Sequence, residues 1–183
     1  MSELYEKSLL KLELDRVLEQ LAERAGSELG KIACRNLRPV SDLEEVQALL
    51  DQTTAACDLY TKKGYPHFYE AQDVSFSLER ADMGGALNPK ELLRIAGTLR
   101  CARTVKGYTA EDEAATVLDG MFMSLTANKY LEDKIFGAIL SEEEIADNAS
   151  PTLADIRRHK KVQSAKIRDS LQKIISSPAY AKS

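Results

Sequence analysis

The chain has 183 residues, of which 44 % are hydrophobic, 30 % charged and only 6 % aromatic, with no tryptophan; that is the length of one ordinary domain, enough to hide roughly 70 % of its unfolded surface, in a composition that favours helix. No apolar run approaches the roughly 20 residues of a membrane-spanning helix, and Met1–Lys7 lacks the basic start and apolar stretch of a signal peptide, so a cytoplasmic location is predicted. The net charge of −4 hides a reversal, because residues 1–154 carry 17 Lys and Arg against 27 Asp and Glu whereas residues 155–183 carry 8 against 2; a basic tail seeks phosphate or acidic partners and an acidic body does not.

In chain order, Leu10, Leu14, Val17, Leu18, Leu21 and Ala25 recur at helical spacing and predict a helical segment over Leu4–Ala25. The alternation Leu12-Glu13-Leu14-Asp15 marks a break before Asp15, with Asp15 as N-cap, and Gly26 closes the segment. Ser27 caps a short helix running through Asn36, which Pro39 stops. Ser41 followed by Glu44 has the form of a capping box. It opens a helix that ends near Gly64 and carries the stripe Leu43, Val46, Leu50, Thr53, Cys57 and Tyr60.

Gly64–Tyr69 is an aromatic loop, a short helix is expected around Phe76–Ala81, and Gly84-Gly85 is a turn. Asn88-Pro89-Lys90-Glu91 combines a cap, a proline at the first helical position and an acid in the first turn. The helix it starts carries Leu92, Ala96, Leu99 and Ala102 and reaches about Lys106. Ala114, Leu118, Met121, Phe122 and Leu125 predict another helix, and Leu131, Ile135 and Ile139 one more. The acidic Leu140–Asn148 stretch reads as a short extended turn.

Ser150-Pro151 repeats the cap-plus-proline signal, and no breaker follows until Pro178, which predicts a helix of about 27 residues and about 40 Å. Its apolar positions, Leu153 and Ile156 at one end and Ile167, Leu171, Ile174 and Ile175 at the other, are interrupted by Lys160 and Gln163. Such a helix either packs at both ends and crosses solvent between them, or keeps its second half for another surface.

No complete active site is visible. Cys34, Cys57 and Cys101 form no CxxC pair and are predicted to be small buried hydrophobes. There is no GxxxxGK[ST] loop, and Gly84-Gly85 is too short to cradle phosphate. His67 lies beside Tyr65, Phe68 and Tyr69, a base-stacking patch on one reading and rings folded onto the core on the other, the latter preferred. His159 has no ligand partner at metal spacing, and Glu142-Glu143-Glu144 reads as a solvated face. No catalytic, cofactor or metal residue is therefore assigned. The surface with a physical case is the basic helix, through Arg157, Arg158, Lys160, Lys161, Lys166, Arg168 and Lys173. These residues either follow a nucleic-acid backbone or pair with the acidic body and with Asp155 and Asp169 nearby.

Three blocks resemble the MutS-two family, bacterial paralogues of the MutS mismatch-repair ATPase. They are Leu12-Glu13-Leu14-Asp15 with Leu21-Ala22-Glu23 and Ser27–Lys31; Arg80–Leu87 with Pro89, Glu91, Leu92 and Leu93; and Asp147–Leu153 with Ile156-Arg157-Arg158. Leu14, where the family more often carries Phe, and the acidic Glu142–Glu144, where glycine is common, depart from the pattern. The resemblance implies an N-terminal piece of a longer protein: a helical core and lever, then a dimerising ATPase that uses ATP and Mg, then a small Smr nuclease domain. It also implies action on branched DNA, suppression of recombination, or rescue of collided ribosomes, with DNA or ribosomal RNA as partner and a homodimer as the working unit. The ATP and nuclease sites would lie outside this chain, and Ser183 would be a boundary within the longer one.

The expected fold is all-α, a helical bundle with a long projecting C-terminal helix. Residues 1–149 form the helical core and residues 150–183 the start of a lever-type helix, cut short. A stand-alone helical protein–protein interaction module with a basic docking helix is the alternative.

Overall fold

A computed structural model describes residues 3–109 and 115–176, with side chains from Lys7 onward. Among these residues the chain forms nine helices and no strand: α1 (Glu3–Lys11), α2 (Leu14–Arg24), α3 (Glu28–Arg35), α4 (Leu43–Lys63), α5 (Ser75–Asp82), α6 (Pro89–Tyr108), α7 (Asp119–Ser124), α8 (Lys129–Ala138) and α9 (Pro151–Ile175). The expected all-α class and long last helix are present. Ala114, assigned above to a helical stripe, and Pro178, the predicted stop, lie outside the described residues.

The helix starts follow from side-chain chemistry. The Asn88 side chain accepts the Glu91 N–H at 3.0 Å, and Glu91 Oε2 accepts the Asn88 N–H at 2.8 Å, closing the predicted capping box. Ser27, Asn128 and Ser150 each accept a backbone N–H three residues on. Two expected caps move. The α1–α2 break is made by Glu13 in the left-handed region (φ 52°), not by Asp15, which lies in the first turn of α2. Backbone groups alone end α1 and start α2, since Glu13 N–H donates to Leu10 O and Arg16 N–H to Glu13 O. In α4 the cap is Asp42, not Ser41; its carboxylate accepts the Glu45 N–H at 3.0 Å, an anion at the positive end of the helix dipole.

Packing is concentrated in two places. α2 lies against α3 with α1 beside it, and α6 lies against α8 with α7 at its far end. The core between α6 and α8 is Ile95, Ala96, Ile135 and Ile139, with Val74, Leu87 and Phe136 around it. An ion pair joins α5 to the start of α6 through Arg80 and Glu91. The aromatic loop is held to α6 by backbone and by the residues that follow it, since Glu70 pairs with Arg100, Gln72 N–H donates to Thr98 Oγ1, and Cys101 Sγ donates to His67 O; its rings are not folded onto the core as preferred above, Tyr65 and Tyr69 being exposed. Its Tyr65 ring meets Tyr60 and Phe68 edge-on. Tyr65 also lies over the α2–α3 turn, so that a Cβ added at Gly26 would fall 1.7 Å from Tyr65 Oη.

α4 and α9 pack on no other helix to this degree. α4 is tied at its C-terminal end, where Tyr108 Oη donates to Leu59 O and Gly64 O and Lys63 donates to Tyr108 O. Gly64 closes α4 at φ 79°, which suits glycine. The residue this contact buries is Leu59, whereas the predicted stripe is open to solvent at Leu43 (80 % exposed), Leu50 and Tyr60. Cys57, expected to be buried, is exposed on the same stripe and Cys34 is half-buried; Cys101 alone of the three is buried. The result is an open shape. A compact chain of this mass exposes about 8,800 Å² and an unfolded one about 29,000 Å². This chain exposes 14220 Å², so about half of the unfolded surface is hidden, not the roughly 70 % its length allows.

Candidate nucleic-acid interface

α9 is positioned by what precedes it. Ile139 and Ile145 form an isolated antiparallel bridge, and Ala146 N–H donates to Ala138 O at 2.9 Å. Ile139 and Ala146 are buried, so the acidic turn between them is fastened to α8 rather than loose. Ser150 then caps α9 and Pro151 occupies its first turn.

Arg157 locks the base of the helix. One guanidinium nitrogen donates to Asp147 Oδ1 at 2.5 Å and to the Ile145 carbonyl at 2.7 Å. Lys161 Nζ stands 3.6 Å from Asp147 Oδ2. The Arg157 hydrogen bond, and then the charge of Lys161, hold the Asp147 carboxyl below the usual aspartate range. Arg158 pairs with Asp155 one turn back, at 3.0 Å. Pairing with local acids, the alternative weighed for the basic helix, thus holds for Arg157, Arg158 and Lys161. It does not hold for Lys160, Lys166, Arg168 and Lys173, which make no ion pair among the described residues; nor does Asp169, the other expected local acid.

At 100° per residue, Arg157, Lys160, Lys161 and Arg168 fall within a sector of about 100° over about 17 Å of helix. Together with Ser164 and Ala165 they line one shallow groove. Of the four cations, Arg157 and Lys161 are held by Asp147, and Lys160 and Arg168 stay open. Arg158, Lys166 and Lys173 lie on other sides. The basic sector borders an apolar one, with Ile156, Ile167, Leu171 and Ile174 all more than half exposed. Of the two expectations for α9, packing at both ends fails among the described residues, because every residue beyond Arg157 is exposed.

The anchor, Asp147 with the Ile145 carbonyl, was missed in the sequence. Its one signal there is an acid placed just before the Ser150-Pro151 cap, within reach of the first basic turn. The described residues contain no cluster of His, Cys, Asp and Glu able to hold a metal, and no helix long and apolar enough to cross a membrane.

No family model matches the sequence. Curated relatives do. The chain is 43 % identical over 180 residues to a protein named Endonuclease MutS2 from Ruminiclostridium cellulolyticum, covering 97 % of this chain and 23 % of that protein. It is 39 % identical over 181 residues to the Endonuclease MutS2 of Acetivibrio thermocellus and 38 % identical over 181 to that of Clostridioides difficile, with the same coverage of each. The chain therefore spans less than a quarter of the length of these relatives, 23 %.

Proposed function

This chain is a region of a MutS2-type protein, homologous over about 97 % of its own length, and we propose that within such a protein it forms the core and the first arm of the lever. Residues 1–149 are the core and residues 150–183 begin the arm. The arm joins an ATPase, which takes ATP and Mg in the longer protein, to a clamp on nucleic acid. A long helix moves as a rod, so a small rotation at its base becomes a large displacement at its tip. Supporting this reading, α9 leaves the body from a fastened base and runs 25 residues without packing on another helix. The longer protein works as a homodimer, and its nucleic acid is branched DNA or ribosomal RNA, in suppression of recombination or rescue of collided ribosomes.

The observation that carries nucleic-acid contact is the row Arg157, Lys160, Lys161 and Arg168 on one side of that helix, set against an acidic body. Arg158, Lys166 and Lys173 add charge around it without sharing the face. Phosphate contact releases counterions, so affinity for a branched DNA falls with salt, with a log–log slope near −0.9 for each phosphate neutralised. Lys160 and Arg168, the two of the row that no acid holds among the described residues, give a slope of about −2. A slope near zero would remove the proposal of direct contact while leaving the lever.

A further inference from the structure

α6 reverses the charge of the body around it. It carries Lys90, Arg94, Arg100, Arg103 and Lys106 against one acid, Glu91, whereas residues 1–154 carry 17 Lys and Arg against 27 Asp and Glu. Most of these cations are engaged. Lys90 pairs with Glu142, Arg100 with Glu70 and Arg103 with Glu132, and Lys106 donates to Leu125 O. Arg94 differs: it is exposed, and its guanidinium makes no ion pair or hydrogen bond among the described residues. It lines a cleft of about 380 Å³ that α6 forms with Phe136 of α8, Glu142 of the acidic turn and the Tyr69–Gln72 segment. Small-ligand sites span about 300–1,000 Å³.

The same cleft holds an aromatic ring that is fixed in place yet open to water. Tyr69 is 66 % exposed. The chain on either side of it is pinned to α6: His67 O accepts from Cys101 Sγ, Glu70 Oε2 accepts from Arg100 Nε at 2.8 Å, and Thr98 Oγ1 accepts the Gln72 N–H at 3.3 Å. The His67 ring meets the Tyr69 ring edge-on, with centroids 5.8 Å apart. A ring held this way adds little burial to the fold, but it offers a preplaced π-face at small entropic cost. Phe136, the other ring of the cleft, is already covered on one side by the Arg100 guanidinium, 4.4 Å above it.

We propose that this cleft binds single-stranded nucleic acid, with one unstacked base on the Tyr69 ring and a neighbouring phosphate on Arg94. A free guanidinium is a fork matched to phosphate oxygens, and a free aromatic face is what a base released from its stack requires. Lys90 supplies a second cation, because its pair with Glu142 joins two half-exposed side chains and is a weak surface contact that phosphate can displace. Arg100 keeps its place between Glu70 and Phe136 and shapes the floor. A duplex presents its bases only edge-on within the grooves, so a concave site with a stacking ring selects a strand that is open. An acidic peptide would use Arg94 and Lys90 but leave the Tyr69 face idle. The site is separate from the α9 face and stands whether or not that face touches nucleic acid.

The test is an anisotropy titration of a labelled oligothymidylate of about eight nucleotides at low salt. It is run on the 183-residue chain carrying Lys160→Glu and Arg168→Glu, so that the open cations of α9 contribute nothing. Arg94 and Tyr69 are both exposed, so their variants should fold, and circular dichroism checks this. Binding is expected to persist in that background. Arg94→Gln should weaken it at least about fivefold and Arg94→Glu more; Tyr69→Ala should weaken it at least about fivefold, and Tyr69→Phe, which keeps the ring, by about twofold or less. No binding in that background overturns the proposal, and binding by the unaltered chain would then belong to α9. A loss with Arg94→Glu but none with Tyr69→Ala overturns it as well, since it leaves a plain anion contact. So does displacement by an oligo-aspartate peptide of equal charge at equal concentration, which would give the cleft to an acidic protein segment.

Discussion

Arg157, in the second turn of α9, reaches back to Asp147 at 2.5 Å and to the Ile145 carbonyl at 2.7 Å, so one guanidinium spans the turn from which the helix emerges. Ile145 is itself bridged to Ile139, at the end of α8, and Ile139 belongs to the α6–α8 core. The path from core to arm thus runs through one arginine and one carboxylate. Asp147→Asn keeps the shape and removes the charge. It should speed amide exchange several-fold over the first two turns of α9 while leaving α6 and α8 protected. Equal protection in the variant would show that the Ser150 cap alone holds the arm.

The same pair sets a pH window. Asp147 titrates below the usual aspartate range because Arg157, and then Lys161, favour its charged form. A carboxyl lowered on folding contributes stability above its unfolded pKa of about 3.9 and loses it as the pH falls through the lower folded value. The arm should therefore stay anchored from neutral pH to about pH 4 and loosen only below it. Carbon-detected NMR of the Asp147 carboxyl should give a midpoint below that of free aspartate; a midpoint at or above it would contradict the anchor.

Glu132 is the one buried charged residue among those described. Both its oxygens accept from Arg103, at 2.8 and 2.9 Å, joining α8 to α6. Arg103 holds its carboxyl below the usual glutamate range. Glu132→Gln should cost about 1–3 kcal/mol in urea unfolding, since it spoils a paired acceptor that water does not reach. Acid should remove the same contribution, because a lowered pKa is lost downwards in pH.

Tyr65 and Gly26 occupy one space. Gly26→Ala should displace the Tyr65 ring and destabilise the docking of α2–α3 by on the order of 1 kcal/mol. In a Tyr65→Ala background the same change should be close to neutral. A double-mutant cycle reads this coupling directly, and additive effects would show that the two residues do not touch.

Asn88 offers the simplest check of local structure. Losing its side of the capping box through Asn88→Ala should cost about 1 kcal/mol. Loss near zero in thermal unfolding would mean that Glu91, held also by Arg80 and Ser77, keeps the helix start without it.

What the residues disclosed, they disclosed through local rules. Asn88 with Glu91, Ser27, and Ser150 with Pro151 marked helix starts, since a cap is decided within four residues. Asp42 and Glu13 escaped because neighbouring groups could do the same job, and only the backbone path chooses between them. The stripe on α4 was legible as a pattern but not as a surface. Periodicity says that a face is apolar; whether anything covers it depends on elements far away in sequence. The charge of α9 was equally legible, but its sorting into Arg157 as anchor and Lys160 with Arg168 as open cations needed Asp147 and Ile145 in space.

Contact between that open face and nucleic acid is tested most directly by anisotropy titration of a labelled four-way DNA junction at low salt. The chain itself, Lys160→Glu with Arg168→Glu, and Lys173→Glu are compared. Reversal of the two on-face cations is expected to weaken binding at least about tenfold, and reversal of Lys173, on another side of the helix, by about twofold or less. Equal losses in both variants, or no binding by the unaltered chain, would contradict a nucleic-acid face on α9.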